Sequence, residues 1–152
     1  MNDIPMQNIF FDSSALIAGI VSTQGADRAL LLLTEDEKIT ITVSEQVLTE
    51  VERNIARKLP RALPFARELI LQTKIKIMRD PGLEEVVSHW DWISHPADVP
   101  ILVAAVKAQV DFLVTLNTKH FIDNVQVSQR SGLRIGTPGD ALAWVREQIS
   151  KT

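Results

Sequence analysis

Residues 95–121 read HPADVPILVAAVKAQVDFLVTLNTKHF, and this stretch decides which fold the sequence predicts. Its middle, ILVAAV at residues 101–106, is apolar at every position, which predicts a helix covered on nearly all its faces. The FLV run at residues 112–114 is typical of a buried strand in a parallel sheet. Asp98 precedes this helix and Asn117 follows this strand, so polar groups stand where α/β folds keep their chemistry.

Short apolar or alternating runs predict four further strands on either side of this stretch. They lie at residues 8–11, 38–43, 74–78 and 133–135. Helical spacing of apolar residues fills the intervals, which gives the order β-α-α-β-α-α-β-α-α-β-α-β-α with short connections. This order predicts a single domain over residues 1–152, with three α/β/α layers built on a mainly parallel central sheet.

The composition is that of a compact globular protein. Of 152 residues, 45% are hydrophobic and 23% are charged, enough to bury a core without staples. There is no cysteine, which excludes disulfides and thiolate metal sites and fits a reducing compartment. No apolar run approaches the roughly 18 residues of a membrane span. We therefore expect a cytoplasmic protein with no membrane partner.

The charges are distributed unevenly along the chain. A formal net charge of -3 argues against a protein that wraps nucleic acid by bulk charge. One basic run without an acidic residue nevertheless follows Glu50 along its predicted helix and beyond. By default such a run is a solvated face, but its position behind Glu50 also favours contact with nucleic-acid phosphates. The run contains Arg53, Arg57, Lys58, Arg61 and Arg67.

Three acidic residues stand out by their position. Asp12 directly follows the first predicted strand, and Asp98 stands at the mouth of the apolar helix. Glu50 borders the buried stripe of its helix, at about -60° from Val47 when each residue turns about 100°. Because the carboxyl ends of parallel strands meet at one edge of a sheet, Asp12 and Asn117 are predicted to come together.

Each of these acids also has a simpler interpretation. Asp12 and Asp98 can be read as helix caps, and Glu50 can be read as a solvated helix residue. Asp111 is excluded from the group, because it precedes its strand and lies about six residues, or roughly 20 Å, from Asn117. It is predicted to lie at the opposite edge of the sheet.

Carboxylates that meet at one site repel one another and raise one another's pKa unless a cation lies among them. The predicted ligands are all oxygens, with no cysteine and no histidine pair nearby, which favours a hard ion, Mg²⁺ or Mn²⁺. Such an ion activates water and stabilises the charge that develops on a phosphodiester during in-line displacement. The predicted chemistry is that of a nuclease.

Three motifs follow one another along the chain: FFDSSALIA at residues 10–18, VLTEV at residues 47–51 and ADVPILVAAVKAQVDFLVTLNTKHF at residues 97–121. In this order and spacing they resemble the PIN-domain family of metal-dependent ribonucleases, best known as the VapC-type toxins of bacterial toxin-antitoxin pairs. The resemblance covers residues 8–121 and implies a PIN-like fold.

The resemblance also implies which residues build the metal site. Ser13 and Thr115 match the small hydroxyl residues that support this site in the family. The sequence departs from the family at Asn117 and His120, since one of these positions is usually acidic. With three formal negative charges, we expect one ion bound firmly and a second bound only weakly or with substrate. The implied ligands of Mg²⁺ or Mn²⁺ are Asp12, Glu50, Asp98 and Asn117.

The function implied by the resemblance is endonucleolytic hydrolysis of RNA. The protein would be a toxin that a small antitoxin neutralises, and it would form a homodimer. RNA would contact Arg53, Arg57, Lys58 and Arg61. The alternative is a PIN scaffold that has lost its chemistry at Asn117 and His120 and binds RNA or a protein. Phosphoryl transfer on another α/β fold is disfavoured, because no second aspartate accompanies Asp12 and no glycine-rich loop follows the first strand.

Overall fold

The computed structural model describes residues 6–151, and its elements follow the predicted order. The strands are β1 (Asn8–Phe11), β2 (Thr40–Ser44), β3 (Lys76–Met78), β4 (Phe112–Val114) and β5 (Arg134–Gly136). The α-helices are α1 (Ser13–Val21), α2 (Ala26–Glu35), α3 (Glu45–Lys58), α4 (Leu63–Gln72), α5 (Leu83–Ser88), α6 (Val99–Lys107), α7 (Val125–Ser131) and α8 (Pro138–Ser150). Turns of 3-10 helix precede α4 (Pro60–Ala62) and α6 (Pro96–Asp98), and a π-helical turn (Thr118–Ile122) follows β4.

The strands form one five-stranded sheet in the order β3-β2-β1-β4-β5, and every pairing is parallel. β1 is central, with Ile9 opposite Ile41 of β2 on one side and opposite Phe112 of β4 on the other. The carboxyl ends of β1 and β4 therefore meet at the same edge. The predicted three-layer α/β/α architecture is confirmed.

Both faces of the sheet are covered. Successive residues of a strand point to opposite faces, yet Ile9, Phe10 and Phe11 of β1 are all fully buried, as are Leu113 and Val114 of β4. Burial on both faces explains why these strands are continuously apolar and do not alternate with polar residues. The site at the end of β1 and β4 is consequently held by strands that are fully buried in the core.

Helix α6 is buried over most of its surface, as its sequence predicted. Val99 and residues 101–105 are buried, whereas Lys107 near its end is exposed. Since α6 leads into the amino end of β4, its own start lies toward the carboxyl edge of the sheet. This arrangement brings Asp98 to the edge that Asp12 occupies.

Some strand ends differ from the predictions by one or two residues. β3 begins two residues later than expected, because Lys74 has a φ of 57° and this left-handed backbone cannot extend a strand. Asp111 precedes β4, and its carboxylate accepts a hydrogen bond from the Asn8 amide at 2.7 Å. Asp111 therefore lies at the amino edge beside the start of β1, opposite Asp12, as predicted.

Among the described residues, no single helix has the length and apolar character needed to cross a membrane. Helices α1 and α2 meet such a criterion only when taken as a pair, and they are bent by 87° at their junction. Both helices bury residues in the core, including Leu16 of α1 and Leu30 of α2.

Candidate functional site

Asp12 lies at the carboxyl end of β1 and caps the start of α1. Its Oδ1 accepts hydrogen bonds from the Ala15 amide at 2.9 Å and the Ser14 hydroxyl at 2.6 Å. Its Oδ2 accepts a hydrogen bond from the hydroxyl of Thr115, the residue that follows β4. A carboxylate oxygen has two lone pairs, so Oδ2 retains one for a cation. Asp12 is therefore both a helix cap and a candidate ligand.

The electrostatic environment of Asp12 disfavours its charge. Burial raises the pKa of this carboxyl, which is only 5% exposed. Hydrogen bonds from Ser14, Thr115 and the Ala15 amide lower the pKa in part, and the negative charge of Asp98 raises it further. Keeping Asp12 ionised in the folded protein therefore costs free energy, and a bound cation would offset that cost.

Asp98 ends the 3-10 turn before α6 but makes no capping hydrogen bond to that helix. Its Oδ2 instead lies 2.8 Å from Nδ1 of His120 and 3.4 Å from Nδ1 of His95. The two imidazole rings are stacked, with centroids 4.4 Å apart and planes 21° apart. The helix-cap interpretation of Asp98 is wrong, and so is the expectation that no histidine pair lies near the acids.

Asn117 follows β4 and caps the π-helical turn that carries His120. Its Oδ1 accepts a hydrogen bond from the His120 amide at 3.1 Å, and its Nδ2 lies 3.0 Å from His120 Nδ1. The backbone N–H of Asn117 donates a hydrogen bond to Oγ1 of Thr115 at 2.9 Å. Because Thr115 also donates to Asp12, one hydrogen-bonded network joins the ends of β1 and β4.

Glu50 lies half-buried on α3 and interacts electrostatically with the other two acids. Burial raises the pKa of Glu50, a hydrogen bond from Gln46 lowers it in part, and the negative charges of Asp12 and Asp98 raise it further. The side-chain amide of Gln46 lies 3.4 Å from both Glu50 Oε1 and the Ala97 carbonyl. Gln46 thereby connects α3 to the turn that carries Asp98.

The donor set fits a hard divalent cation. The charge of Asp98 raises the pKa of both Asp12 and Glu50, and the charge of Asp12 raises that of Glu50, which is a conflict that a cation relieves. The oxygens of the three carboxylates do not all lie within 4.8 Å of one another, so they would have to draw together around an ion. Within the described chain, Glu50 Oε2 and Asp98 Oδ1 have no hydrogen-bond partner. Asn117 adds no charge, and its Oδ1 already accepts the His120 amide. The charge for such an ion comes from the three carboxylates.

The hydroxyl that reaches Asp12 from α1 belongs to Ser14 and not to the predicted Ser13. Ser14 Oγ donates to Asp12 and accepts from the Leu116 amide at 3.0 Å, so it connects both strand ends. Ser13 makes no side-chain hydrogen bond in the described structure. Polar groups of the residues two and three positions after an N-cap residue face back toward its side chain. Since Ser14 stands two positions after Asp12, the sequence favoured Ser14 over Ser13.

Four of the basic residues lie on α3 and on the 3-10 turn that follows it, and the fifth, Arg67, lies on α4. Arg53 is close enough to Glu50 to lower the pKa of that carboxyl. Arg67 forms an ion pair with Glu52 at 2.7 Å, which separates it from the rest of the run. The remaining basic side chains belong to exposed residues, namely Arg53, Arg57, Lys58 and Arg61.

Comparison with protein families gives one match over most of the chain. A family model described as a PIN domain matches residues 8–119, which include all three carboxylates and Asn117. The sequence has no match among curated proteins.

Solved structures share the fold at low sequence identity. The protein PAE2754 of Pyrobaculum aerophilum aligns with a TM-score of 0.63 and 16% identity, over 93% of this chain and 96% of that one. VapBC2 from Rickettsia felis, solved with a DNA fragment from its promoter, aligns with a TM-score of 0.61 and 17% identity, over 86% of this chain and 98% of that one. VapC20 of Mycobacterium tuberculosis, a toxin that cleaves the sarcin-ricin loop, aligns with a TM-score of 0.52 and 17% identity, over 69% of this chain and 86% of that one.

Proposed function

Because this chain belongs to the PIN-domain family, we propose that it is a divalent-metal-dependent endoribonuclease whose active site is the cluster of Asp12, Glu50 and Asp98. The observation that supports this proposal is electrostatic: the charge of Asp98 raises the pKa of Asp12 and Glu50, and the charge of Asp12 raises that of Glu50, at the carboxyl edge of the sheet. The predicted ions are Mg²⁺ and Mn²⁺, with Asn117 as a neutral neighbour. The substrate is RNA.

The chain positions the reactive edge through contacts that are already made. Thr115 and Ser14 hold both oxygens of Asp12 in place, so its remaining lone pair has one direction. Glu50 approaches from α3 and Asp98 from the start of α6. A Mg²⁺ or Mn²⁺ ion bound there would activate water and neutralise charge on the phosphodiester. To Arg53, whose charge acts on Glu50, we assign contact with a phosphate beside the cleaved bond.

The partners follow from the same proposal. VapBC2 and VapC20 share the fold, and VapC20 is described as a toxin, so we propose a small antitoxin as the protein partner. We further propose a cytoplasmic, single-domain protein that acts as a homodimer. Arg53, Arg57, Lys58 and Arg61 are assigned to the RNA backbone.

A cleavage assay tests the active site with variants that keep the shape of each side chain and remove its charge. The purified protein is incubated with single-stranded and hairpin RNA in Mn²⁺, beside Asp12→Asn, Glu50→Gln and Asp98→Asn. The cleavage rate of each variant should fall by about 100-fold or by a larger factor. A 100-fold loss is equivalent to about 2.7 kcal/mol of transition-state stabilisation. Asp111→Asn, the same change at the opposite edge, should cleave like the wild type. Equal cleavage by all of these proteins would exclude the assignment.

A second candidate function rests on Asn117, whose side chain is committed to His120 and brings no charge to the ion. In that case the protein is a PIN scaffold that binds RNA or a protein without cutting RNA. Isothermal titration separates the two functions. The nuclease should bind Mn²⁺, whereas the scaffold should bind RNA but give no Mn²⁺ signal.

A further inference from the structure

Two histidines converge on one carboxylate oxygen at the rim of the carboxylate cluster. Oδ2 of Asp98 lies 2.8 Å from Nδ1 of His120 and 3.4 Å from Nδ1 of His95. One ligand atom from each of these residues can be chosen so that all lie within 4.8 Å of one another. Asp98 has a side chain only 15% exposed, whereas His120 and His95 are 30% and 49% exposed, so the group opens toward solvent.

The local backbone brings the three side chains of this group together. Pro96 favours an extended conformation for the residue before it, and His95 has φ -89° and ψ 113°. The Asp98 amide then returns to the His95 carbonyl at 3.0 Å and closes the 3-10 turn. On the other side, Asn117 caps the turn that presents His120. Two short turns therefore place three potential ligands in contact.

The separations already match those around a shared metal ion. With metal-nitrogen distances of about 2.0–2.1 Å, neighbouring ligands of a tetrahedral ion are about 3.3 Å apart, and those of an octahedral ion about 3.0 Å. The two observed nitrogen-oxygen distances, 2.8 and 3.4 Å, bracket these values. Because a metal ion lies in the plane of each imidazole that binds it, one of the two stacked rings has to turn about its side-chain bonds to admit an ion.

The hydrogen bonds at His120 Nδ1 are in conflict. Asn117 Nδ2 can only donate to this nitrogen, since Asn117 Oδ1 is fixed by the His120 amide. Ionised Asp98 can only accept. A single ring nitrogen satisfies one of these neighbours, and when it accepts from Asn117 two acceptors stand 2.8 Å apart. A cation bound by Nδ1 and Oδ2 removes that repulsion, but it uses the single lone pair of Nδ1 and so takes the place of the hydrogen bond from Asn117.

We propose that His95, Asp98 and His120 form a binding site for a borderline divalent transition-metal ion such as Zn²⁺. Two imidazoles and one carboxylate are the donor set of many such sites, and three protein ligands leave a position open for water. This site shares Asp98 with the carboxylate cluster but differs from it in donor chemistry, because imidazole nitrogens disfavour Mg²⁺. It does not depend on the chain being a nuclease.

Zinc titration of histidine variants tests the site. Wild-type protein, freed of divalent ions, should bind Zn²⁺ in isothermal titration with one site that requires both histidines. His95→Ala and His120→Ala should each weaken that binding about tenfold or more. His89→Ala is the matched control, because His89, the third histidine of the chain, is engaged instead with the Glu85 carbonyl at 2.7 Å. Circular dichroism melting verifies that each variant is folded.

The Asp12→Asn variant distinguishes this site from the carboxylate cluster. It should keep its Zn²⁺ affinity, since Asp12 is not one of the three ligands. If the histidine variants bind Zn²⁺ as tightly as the wild type, or if Asp12→Asn alone abolishes binding, the ion occupies the carboxylate cluster and the proposal fails. RNA cleavage is not measured in this titration, so failure of the nuclease assignment would be recognised separately.

Discussion

The two halves of the candidate site are held by different means. In the Asp12 half, formed by Asp12, Ser14 and Thr115, the carboxylate is buried between two strand ends and both of its oxygens accept hydrogen bonds. In the Asp98 half, formed by His95, Asp98, Asn117 and His120, the side chains extend from 3-10 and π-helical turns and are partly exposed. The first half is built into the core, whereas the second rests on its edge.

This difference assigns separate roles to similar residues. An aspartate that caps a helix beside the central strand contributes to folding as well as to ion binding. An aspartate without a cap hydrogen bond, such as Asp98, contributes to ion binding and not to the start of its helix. We therefore expect substitutions in the Asp12 half to change stability and ion binding together, and those in the Asp98 half to separate the two.

The largest expected effect is stabilisation by the ion itself. At a Mn²⁺ concentration 100 times its dissociation constant, the free energy of unfolding should rise by about 2.7 kcal/mol. Asp12→Asn and Asp98→Asn should both lose this gain, whereas Asp111→Asn at the opposite edge should keep it. Thermal melts with Mn²⁺ and with EDTA measure the effect. A gain that survives in both site variants would place the ion elsewhere.

The next effect separates the two halves directly. Asp12→Ala should be less stable than Asp12→Asn by about 0.5–2 kcal/mol, because both lack the charge and only asparagine keeps the acceptor for the Ala15 amide. Asp98→Ala and Asp98→Asn should differ by less than about 0.5 kcal/mol. Urea unfolding without divalent ions measures both pairs. Equal differences at the two positions would contradict the contrast between the halves.

A further prediction concerns pH, and it follows from the raised pKa values of Asp12 and Glu50. An acid whose pKa is raised by folding stabilises the folded state fully below its unfolded-state pKa, about 4, and this contribution is lost as pH rises through the folded-state value. The contribution of these two carboxyls to the stability of the metal-free protein should therefore decline as pH rises above about 4. Asp12→Asn should flatten this decline, and Mn²⁺ should reverse it. Melting temperatures across pH 4–8 test the sign.

The smallest effect concerns how RNA approaches the site. Arg53 and Arg57 follow Glu50 at helical spacings of three and seven residues, so all three share one face of α3. Replacing either arginine by alanine should lower the salt dependence of RNA binding by about one unit of slope. Arg67→Ala is the control, since Arg67 is paired with Glu52. Fluorescence anisotropy at several salt concentrations measures the slopes, and equal losses in all three variants would place RNA on another surface.

The order of strands and helices could be predicted because burial dictates it. The runs at residues 9–11 of β1, 112–114 of β4 and 101–106 of α6 are apolar at every position, and such runs are typical of elements that are covered on most sides. The meeting of Asp12 with the end of β4 followed from parallel pairing alone. These features depend on patterns that extend over several residues and tolerate errors of one or two positions at the ends.

The details of the site depend on single positions and could not be predicted in the same way. Ser14 and Ser13 are neighbours of the same type, and only the turn of the helix after Asp12 decides which hydroxyl points inward. His95 and His120 are separated by the whole of α6 and β4, and both lie on irregular turns that no periodic pattern marks. The sequence therefore indicated the acids and the position of His120 beside Asn117, but not that His95 and His120 both contact Asp98.

The position of β1 between β2 and β4 also determines when the site can exist. The contact of Asp12 with Thr115 joins residues 103 positions apart, and contacts across such long intervals form slowly during folding. During synthesis on the ribosome, Asp12 and Glu50 emerge early, but they can approach Asp98 only after the start of α6 has emerged. The hydrogen bond from Thr115 to Asp12 can form only after Thr115 has emerged. The site is thus completed late in synthesis, and a prematurely terminated chain that stops before β4 lacks it.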